Sequence, residues 1–250
     1  MVYKNQQIIE EFIEKFIKIG DRGWVKSTRQ HNTGIGKTFE DLMGIEENNI
    51  QSSDFKDCIE IKTQRKKSAS KVTLFTKSPN PKGVNTKIKN MYGQINKKGF
   101  KEIHTTINAL NFNTFKKKYG FKLDIDDTNE KINILVKELN KKNVNKIAYY
   151  DFSTLKSKLI NKHKNTAYIE ANHRIENESE YFKFEKLILY YNVSFEKFLE
   201  MVDDGTIVYD IRIGTYGTGK NKGKTHDHGS GFRCMSNKLD DLFSTKKIID

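Results

Sequence analysis

The segment Asp54-Phe55-Lys56-Asp57-Cys58-Ile59-Glu60-Ile61-Lys62 sets carboxylates and an ammonium close together in a β-branched run. Read as a strand over 58–63, it alternates: Glu60 and Lys62 point to one face, Ile59 and Ile61 to the other. Asp54, at or just before the strand, can bend back toward the Glu60 face. Two carboxylates and an ammonium gathered there can hold Mg²⁺ and set a water against a phosphate. The plain alternative is a half-exposed strand in a chain with 31% charged residues, where Glu-x-Lys arises often.

Glu40 is a further acidic residue that can reach toward Glu60. It lies in Lys37-Thr38-Phe39-Glu40-Asp41-Leu42-Met43, whose apolar Phe39, Leu42 and Met43 define a helix starting near Lys37. An exposed first-turn carboxylate favoured by the helix dipole is the competing reading. The preceding Gly34-Ile35-Gly36-Lys37-Thr38 has the ending of a phosphate-binding loop, but His31 stands where that pattern needs its first glycine and 26–33 is polar rather than a hydrophobic strand. Nucleotide binding is therefore not expected.

Near the C-terminus, Tyr209-Asp210-Ile211-Arg212-Ile213-Gly214 alternates, with Asp210 and Arg212 on one face. A glycine-punctuated loop carrying Lys220, Lys222 and Lys224 follows, and His226 to Cys234 returns as a second strand. Together they predict a β-ribbon with a basic tip, a shape that fits the DNA major groove. Arg212 and Arg233 can pair with guanine O6 and N7, Asp210 can accept from cytosine N4, and His226 and His228 can donate or accept according to tautomer. The three lysines suit phosphates, which supply affinity without sequence. A metal on His226 and His228 is disfavoured by the cationic surroundings and the lack of a nearby cysteine. A merely solvated hairpin is the other alternative.

Around these residues the chain reads as a mixture of helices and strands. Helices are expected at 5–19, stopped by Gly20, and at 152–159 and 195–202. Strands are expected at 72–76, 166–170 and 181–190, with a hairpin of 121–126 and 132–136 around Asp127-Thr128-Asn129. The 250 residues suffice for one sizeable core or two modest lobes. Lysine and arginine exceed acidic residues by 45 to 32, a net +13, which favours a polyanionic partner, nucleic acid first. No apolar run approaches the roughly 18 residues of a membrane span, the start lacks a secretory apolar stretch, and Cys58 and Cys234 form no disulfide framework. A cytoplasmic protein away from membranes is expected.

Several ordered blocks then acquire a common meaning. Gly34 to Leu42, Asp54 with Glu60-Ile61-Lys62-Thr63, Leu74-Phe75-Thr76-Lys77-Ser78-Pro79, Asp210 to Gly214, and Gly223-Lys224-Thr225-His226-Asp227-His228-Gly229 with Phe232-Arg233 resemble the MvaI/BcnI type of restriction endonuclease. The resemblance spans roughly 20–235 and is weakest over 105–165. It implies an α/β (α+β) fold with the PD-(D/E)xK nuclease core of the MutH-related enzymes, a mixed sheet flanked by helices in a two-lobed crescent. A mainly catalytic lobe over 1–110 and a mainly DNA-reading lobe over 111–250, with the basic ribbon at 209–235, is the expected division. Carried over by motif, Asp54 and Glu60 bind Mg²⁺, Lys62 orients or activates the water and offsets transition-state charge, and Glu40 is accessory. Asp54 is preferred to Asp57, which leaves less chain to bend back. Asp210, Arg212, His226, His228 and Arg233 face bases. The implied activity is Mg²⁺-dependent cleavage of double-stranded DNA at a short pseudopalindromic site by a monomer that nicks the strands in turn. A cognate methyltransferase protects host DNA without needing to bind the enzyme. Two other classes compete: a MutH-like nicking repair enzyme that depends on partners, and a catalytically silent DNA-binding protein. The intact Asp54/Glu60/Lys62 set speaks against the second, and the extended base-reading set argues for autonomy against the first.

Overall fold

The structure is a computed structural model and describes residues 2–46, 53–68 and 70–250. In chain order it contains α1 (Val2–Gly20), β1 (Val25–Lys26), α2 (Gly34–Met43), β2 (Glu60–Arg65), β3 (Lys71–Thr76), α3 (Val84–Tyr92), β4 (Gln94–Ile95) and β5 (Lys101–Ile107). There follow β6 (Tyr119–Asp126), β7 (Lys131–Glu138), β8 (Val144–Asp151), α4 (Phe152–Lys162), β9 (Asn165–Glu176) and β10 (Ser179–Val193). Last come α5 (Phe195–Asp203), β11 (Ile207–Thr215), β12 (Thr225–Asp227), β13 (Gly231–Met235), a 3-10 turn (Ser236–Leu242) and β14 (Phe243–Ile249).

Two compact units share this chain. The first takes Met1–Ser70, Leu159–Ser194 and Asp240–Asp250, and the second takes Lys71–Lys158 and Phe195–Leu239. The expected division near residue 110 falls inside the second unit. The physical reason is strand pairing: β2 pairs in parallel with β9, which draws 165–176 back beside the N-terminal segment.

In the first unit the sheet order is β1-β10-β9-β2, with β14 also on β10. The parallel β2/β9 pair sets Glu60 opposite Thr166 and Lys62 opposite Tyr168, while the other pairings are antiparallel. Phe12, Phe16 and Ile19 recur at helical spacing on α1, and Ile35, Phe39 and Met43 on α2. They bury against Ile61, Ala167, Ile169, Phe184 and Leu187. One face of β2 therefore belongs to this core, and the Glu60 and Lys62 face does not. Helix α2 begins at Gly34 rather than near Lys37. A Cβ on Gly34 would meet the Arg29 carbonyl oxygen at 2.4 Å, so only glycine lets the chain pass there.

The second unit holds an antiparallel sheet of order β3-β13-β11-β5-β4, with β12 on β11, and a β6-β7-β8 meander that includes the expected hairpin. Its core gathers rings about Phe232, with Tyr209 at 5.1 Å, Phe198 at 5.3 Å, and Phe75 and Tyr150 each at 5.4 Å between centroids. The basic ribbon is accordingly not a separate arm. β11 and β13 are inner strands, flanked by β5 and β3. The expected second strand over 226–234 is broken into β12 and β13 around His228–Ser230. Asp227 shapes that break: its Oδ1 accepts from the N–H groups of Gly229 and Ser230 at 3.0 and 2.6 Å. Such a side-chain bond offers the backbone an alternative to the ladder.

Candidate functional site

In the first unit the acidic cluster assembles as the alternation demands. The strand begins at Glu60, two residues later than expected, but Glu60 and Lys62 still share one face of β2, opposite the core residue Ile61. Glu60 is only 1% exposed, and its Oε1 accepts from Lys62 Nζ. Asp54 does bend back: its Oδ2 accepts from the Ile61 N–H at 2.9 Å, anchoring the carboxylate beside the start of β2. Asp57 lies exposed in the intervening turn with φ +54°. Half-buried Glu40 on α2 acts through its charge on Lys62. Thus Asp54, Glu60 and Lys62 come together, Glu40 lies within electrostatic reach of Lys62, and Asp57 does not join them. Further along β2, Gln64 is buried and fixed by Tyr168 Oη–H at 2.8 Å.

The electrostatics follow from crowding carboxylates in a poorly solvated place. Burial, then the negative charge of Glu60, push the Asp54 carboxyl above its usual range, against the opposing pull of Lys62, the Ile61 N–H and Lys162. Burial disfavours the Lys62 ammonium, but Glu60, Asp54, the Glu60 hydrogen bond and Glu40 outweigh it and hold Lys62 above the ordinary lysine value. Lys62 is therefore a protonated donor, not a base, at neutral pH. Lys162, at the end of α4, was outside the sequence expectations. Its Nζ stands 2.9 Å from Glu60 Oε2, yet that oxygen is buried without a hydrogen-bond partner. Nothing near 162 in sequence signals this contact, because it is made by chain reversal rather than local spacing. Among the described residues no group of three or more His, Cys, Asp or Glu converges as for a metal ion.

In the second unit, Tyr209, Ile211 and Ile213 of β11 are buried while Asp210 and Arg212 stay on the open face. Asp210 Oδ2 lies 3.0 Å from Arg233 Nε across the strands, each side chain being 18% exposed. Its Oδ1 accepts from Thr106 Oγ1–H at 2.7 Å. Arg212 is neighbour to His104 of β5 in register, and its backbone N–H donates to Ser230 Oγ at 2.9 Å. The His226 ring stacks on Tyr216 and sits 4.0 Å from His228, whose ring in turn is 5.9 Å from His104. Desolvation first, then the charges of His226, His104 and Arg212, keep the His228 imidazole below the usual histidine range, so it is neutral at pH 7. Gly214 makes room for it: a Cβ there would lie 2.6 Å from His228 Nε2. Lys220, Lys222 and Lys224 are exposed on the connecting loop, which is closed by backbone bonds from Tyr216 N to Lys224 O and from Gly223 N to Tyr216 O at 3.0 and 2.9 Å. The sequence pattern around His104 and Thr106 does not by itself single them out. Ile103 and Ile107, both buried, were the available signal that 101–107 is a strand whose alternate residues face outward.

Comparison with known proteins places the whole chain in a family. The model of the MvaI/BcnI restriction endonuclease family matches residues 13–243. The solved complex of restriction endonuclease MvaI with its cognate DNA substrate is 39% identical, covers 95% of this chain and 96% of its own, and superposes with a TM-score of 0.86. The structure of restriction endonuclease MvaI in the absence of DNA is 38% identical, covers 97% and 98%, and gives 0.64. A search of curated proteins returns no match. The mixed α+β architecture, with its sheets and flanking helices, agrees with a PD-(D/E)xK-like fold. The chain therefore belongs to the MvaI/BcnI restriction endonuclease family and is a site-specific deoxyribonuclease.

Proposed function

We propose that this enzyme is a type II restriction endonuclease that binds double-stranded DNA at a short pseudopalindromic site and hydrolyses one phosphodiester bond in each strand with the help of Mg²⁺. The convergence of Asp54, Glu60 and Lys62 on one face of a strand is the observation that carries the reading. A hard oxygen donor set fits Mg²⁺, which takes one or two protein carboxylates and completes its shell with water and phosphate oxygens. The buried Glu60 Oε2, lacking a hydrogen bond, is an acceptor that suits a cation. Asp54 and Glu60 would hold the metal, which when bound supplies Lewis-acid polarisation of the phosphate and a more acidic water.

The protein's own groups do the rest. Lys62, protonated and tethered to Glu60, presents Nζ–H donors to the attacking water and to the phosphate oxygens, where negative charge accumulates in the transition state. Asp54 is kept in place by the Ile61 N–H, so its carboxylate does not reorganise when charge develops. Glu40 helps keep Lys62 charged. In the second unit, Arg212 and Arg233 read guanines, Asp210 reads a cytosine amino group, and neutral His228 with His226 contributes donors and acceptors. Because Asp210 is already held by Thr106 and Arg233, the pair is pre-organised for a G·C base pair. Lys220, Lys222 and Lys224 contact phosphates.

One catalytic centre and one reading face per chain support a monomer that nicks the two strands in turn. Incubating supercoiled plasmid with the protein alone, with Mg²⁺ or with excess chelator, and sequencing the ends, tests the proposal. Mg²⁺-dependent ends at one short sequence, preceded by an open-circle intermediate and first-order in enzyme, are expected. Unspecific ends, cleavage in chelator, or second-order dependence would each remove the corresponding part of the reading.

A further inference from the structure

Glu60 is enclosed by two ammonium groups rather than one. Lys62 takes Oε1 and Lys162 approaches Oε2 to 2.9 Å, and the lysine side chains are themselves only 17% and 19% exposed. A carboxylate buried this far needs compensating charge. The two contacts differ in kind. Lys62 makes a hydrogen bond from the same strand, whereas Lys162 reaches Oε2 from the end of α4 at 2.9 Å without well-aligned hydrogen-bond geometry. The main chain at Lys162 is pinned: its carbonyl accepts from Ser53 Oγ–H at 3.1 Å, and the next residue, His163, is buried with Nδ1 2.9 Å from Thr166 Oγ1. Only the flexible stem and ammonium of Lys162 are left to move. A metal on Glu60 must take an oxygen that an ammonium now neutralises, and the less firmly held edge is the one facing Lys162.

We propose that Lys162 is a positioning residue of the active site, a stand-in cation that neutralises the Oε2 edge of Glu60 until a divalent metal replaces it, and that it thereby sets the metal concentration the enzyme requires. This rests on the assignment of Asp54 and Glu60 as metal holders. A unit charge within a few ångströms alters a carboxylate's affinity for a cation by about one to three decades. Removing the ammonium should therefore tighten metal binding, and strengthening its grip should weaken it. A purely structural lysine would not produce these opposed effects.

The test uses the complete protein without DNA, titrated with Mn²⁺ and followed by loss of the free-ion paramagnetic resonance signal, alongside the Mg²⁺ midpoint for plasmid nicking. Lys162→Met, which keeps the apolar stem, should bind Mn²⁺ about tenfold more tightly and lower the Mg²⁺ midpoint in parallel. Lys162→Arg, whose planar fork can grip both carboxylate oxygens, should shift both the other way by about threefold. Glu60→Gln is the control for the underlying assignment. If it binds Mn²⁺ like the wild type, the metal-holder reading fails. If it loses Mn²⁺ while Lys162→Met leaves affinity unchanged or weaker, the role given to Lys162 alone fails. Should the Met variant not fold, the Arg variant decides, and wild-type or tighter Mn²⁺ binding there overturns the inference.

Discussion

Arg233 is assigned two tasks by the proposed function, and they can be separated. It pairs with Asp210 at 3.0 Å within the sheet, and under the proposed function it also reads a base. Arg233→Ala leaves Asp210, 18% exposed, without its ion-pair partner and with only the Thr106 hydroxyl as side-chain hydrogen-bond donor. Truncating one partner of a partly desolvated pair costs about 1–3 kcal/mol through the group left behind. At this chain length about 2–4 °C of melting temperature corresponds to 1 kcal/mol. Asp210→Asn in the same chain removes the stranded charge, so the double variant should recover most of that loss. DNA discrimination should not recover. Loss of a two-pronged guanine contact costs about 1–3 kcal/mol at one base pair, or roughly 5- to 150-fold. The assay is competition binding in Ca²⁺, with the cognate duplex set against single-base-pair variants and an unrelated duplex, paired with thermal melting. If Arg233→Ala weakens binding to all duplexes equally, or if the double variant regains discrimination together with stability, Arg233 is a structural residue and the base-reading assignment is refuted.

Other expectations follow from the same geometry. Asp54→Asn should abolish cleavage yet raise the melting temperature of the metal-free protein at neutral pH. With the folded carboxyl above its unfolded value of 3.8, the penalty from its charge sets in as pH rises through the elevated value and is absent in acid, so the melting difference from wild type should grow with pH; a constant difference would contradict this. Lys222→Ala should weaken cognate and unrelated DNA alike and reduce the salt slope by about one, and an effect confined to cognate DNA would exclude a phosphate contact. Gly214→Ala should preserve the fold, because the Cβ meets only the far end of the His228 ring at 2.6 Å, but should alter site preference; unchanged preference would remove His228 from the reading face.

What the sequence reveals here is what side-chain periodicity controls. Glu60/Lys62 and Asp210/Arg212 stand out because each pair alternates with residues that the structure buries, Ile59 and Ile61 or Tyr209, Ile211 and Ile213. Asp54 is legible from its short tether and Glu40 from its place beside buried Phe39. Pairing across the chain is not legible. The strands read as a basic ribbon are interior because β3 and β5 bond to them, and no local pattern encodes those hydrogen bonds. β5 escapes notice because polar residues crowd its two buried isoleucines, and β14 (Phe243–Ile249) because Ser, Thr and Lys fill its middle. Lys162 is invisible for the same reason as the unit boundaries. Both depend on α4 and β9 (Asn165–Glu176) returning beside β2.

The proposed catalytic centre requires Glu60 to be more than a satisfied strand-face carboxylate. Glu60→Gln, nearly identical in shape, tests it when plasmid cleavage in Mg²⁺ and cognate duplex binding in Ca²⁺ are measured on one preparation. No detectable nicking or linear product, with specific binding retained, is the expected result. Cleavage at the wild-type rate by a folded, DNA-binding Glu60→Gln protein would contradict it.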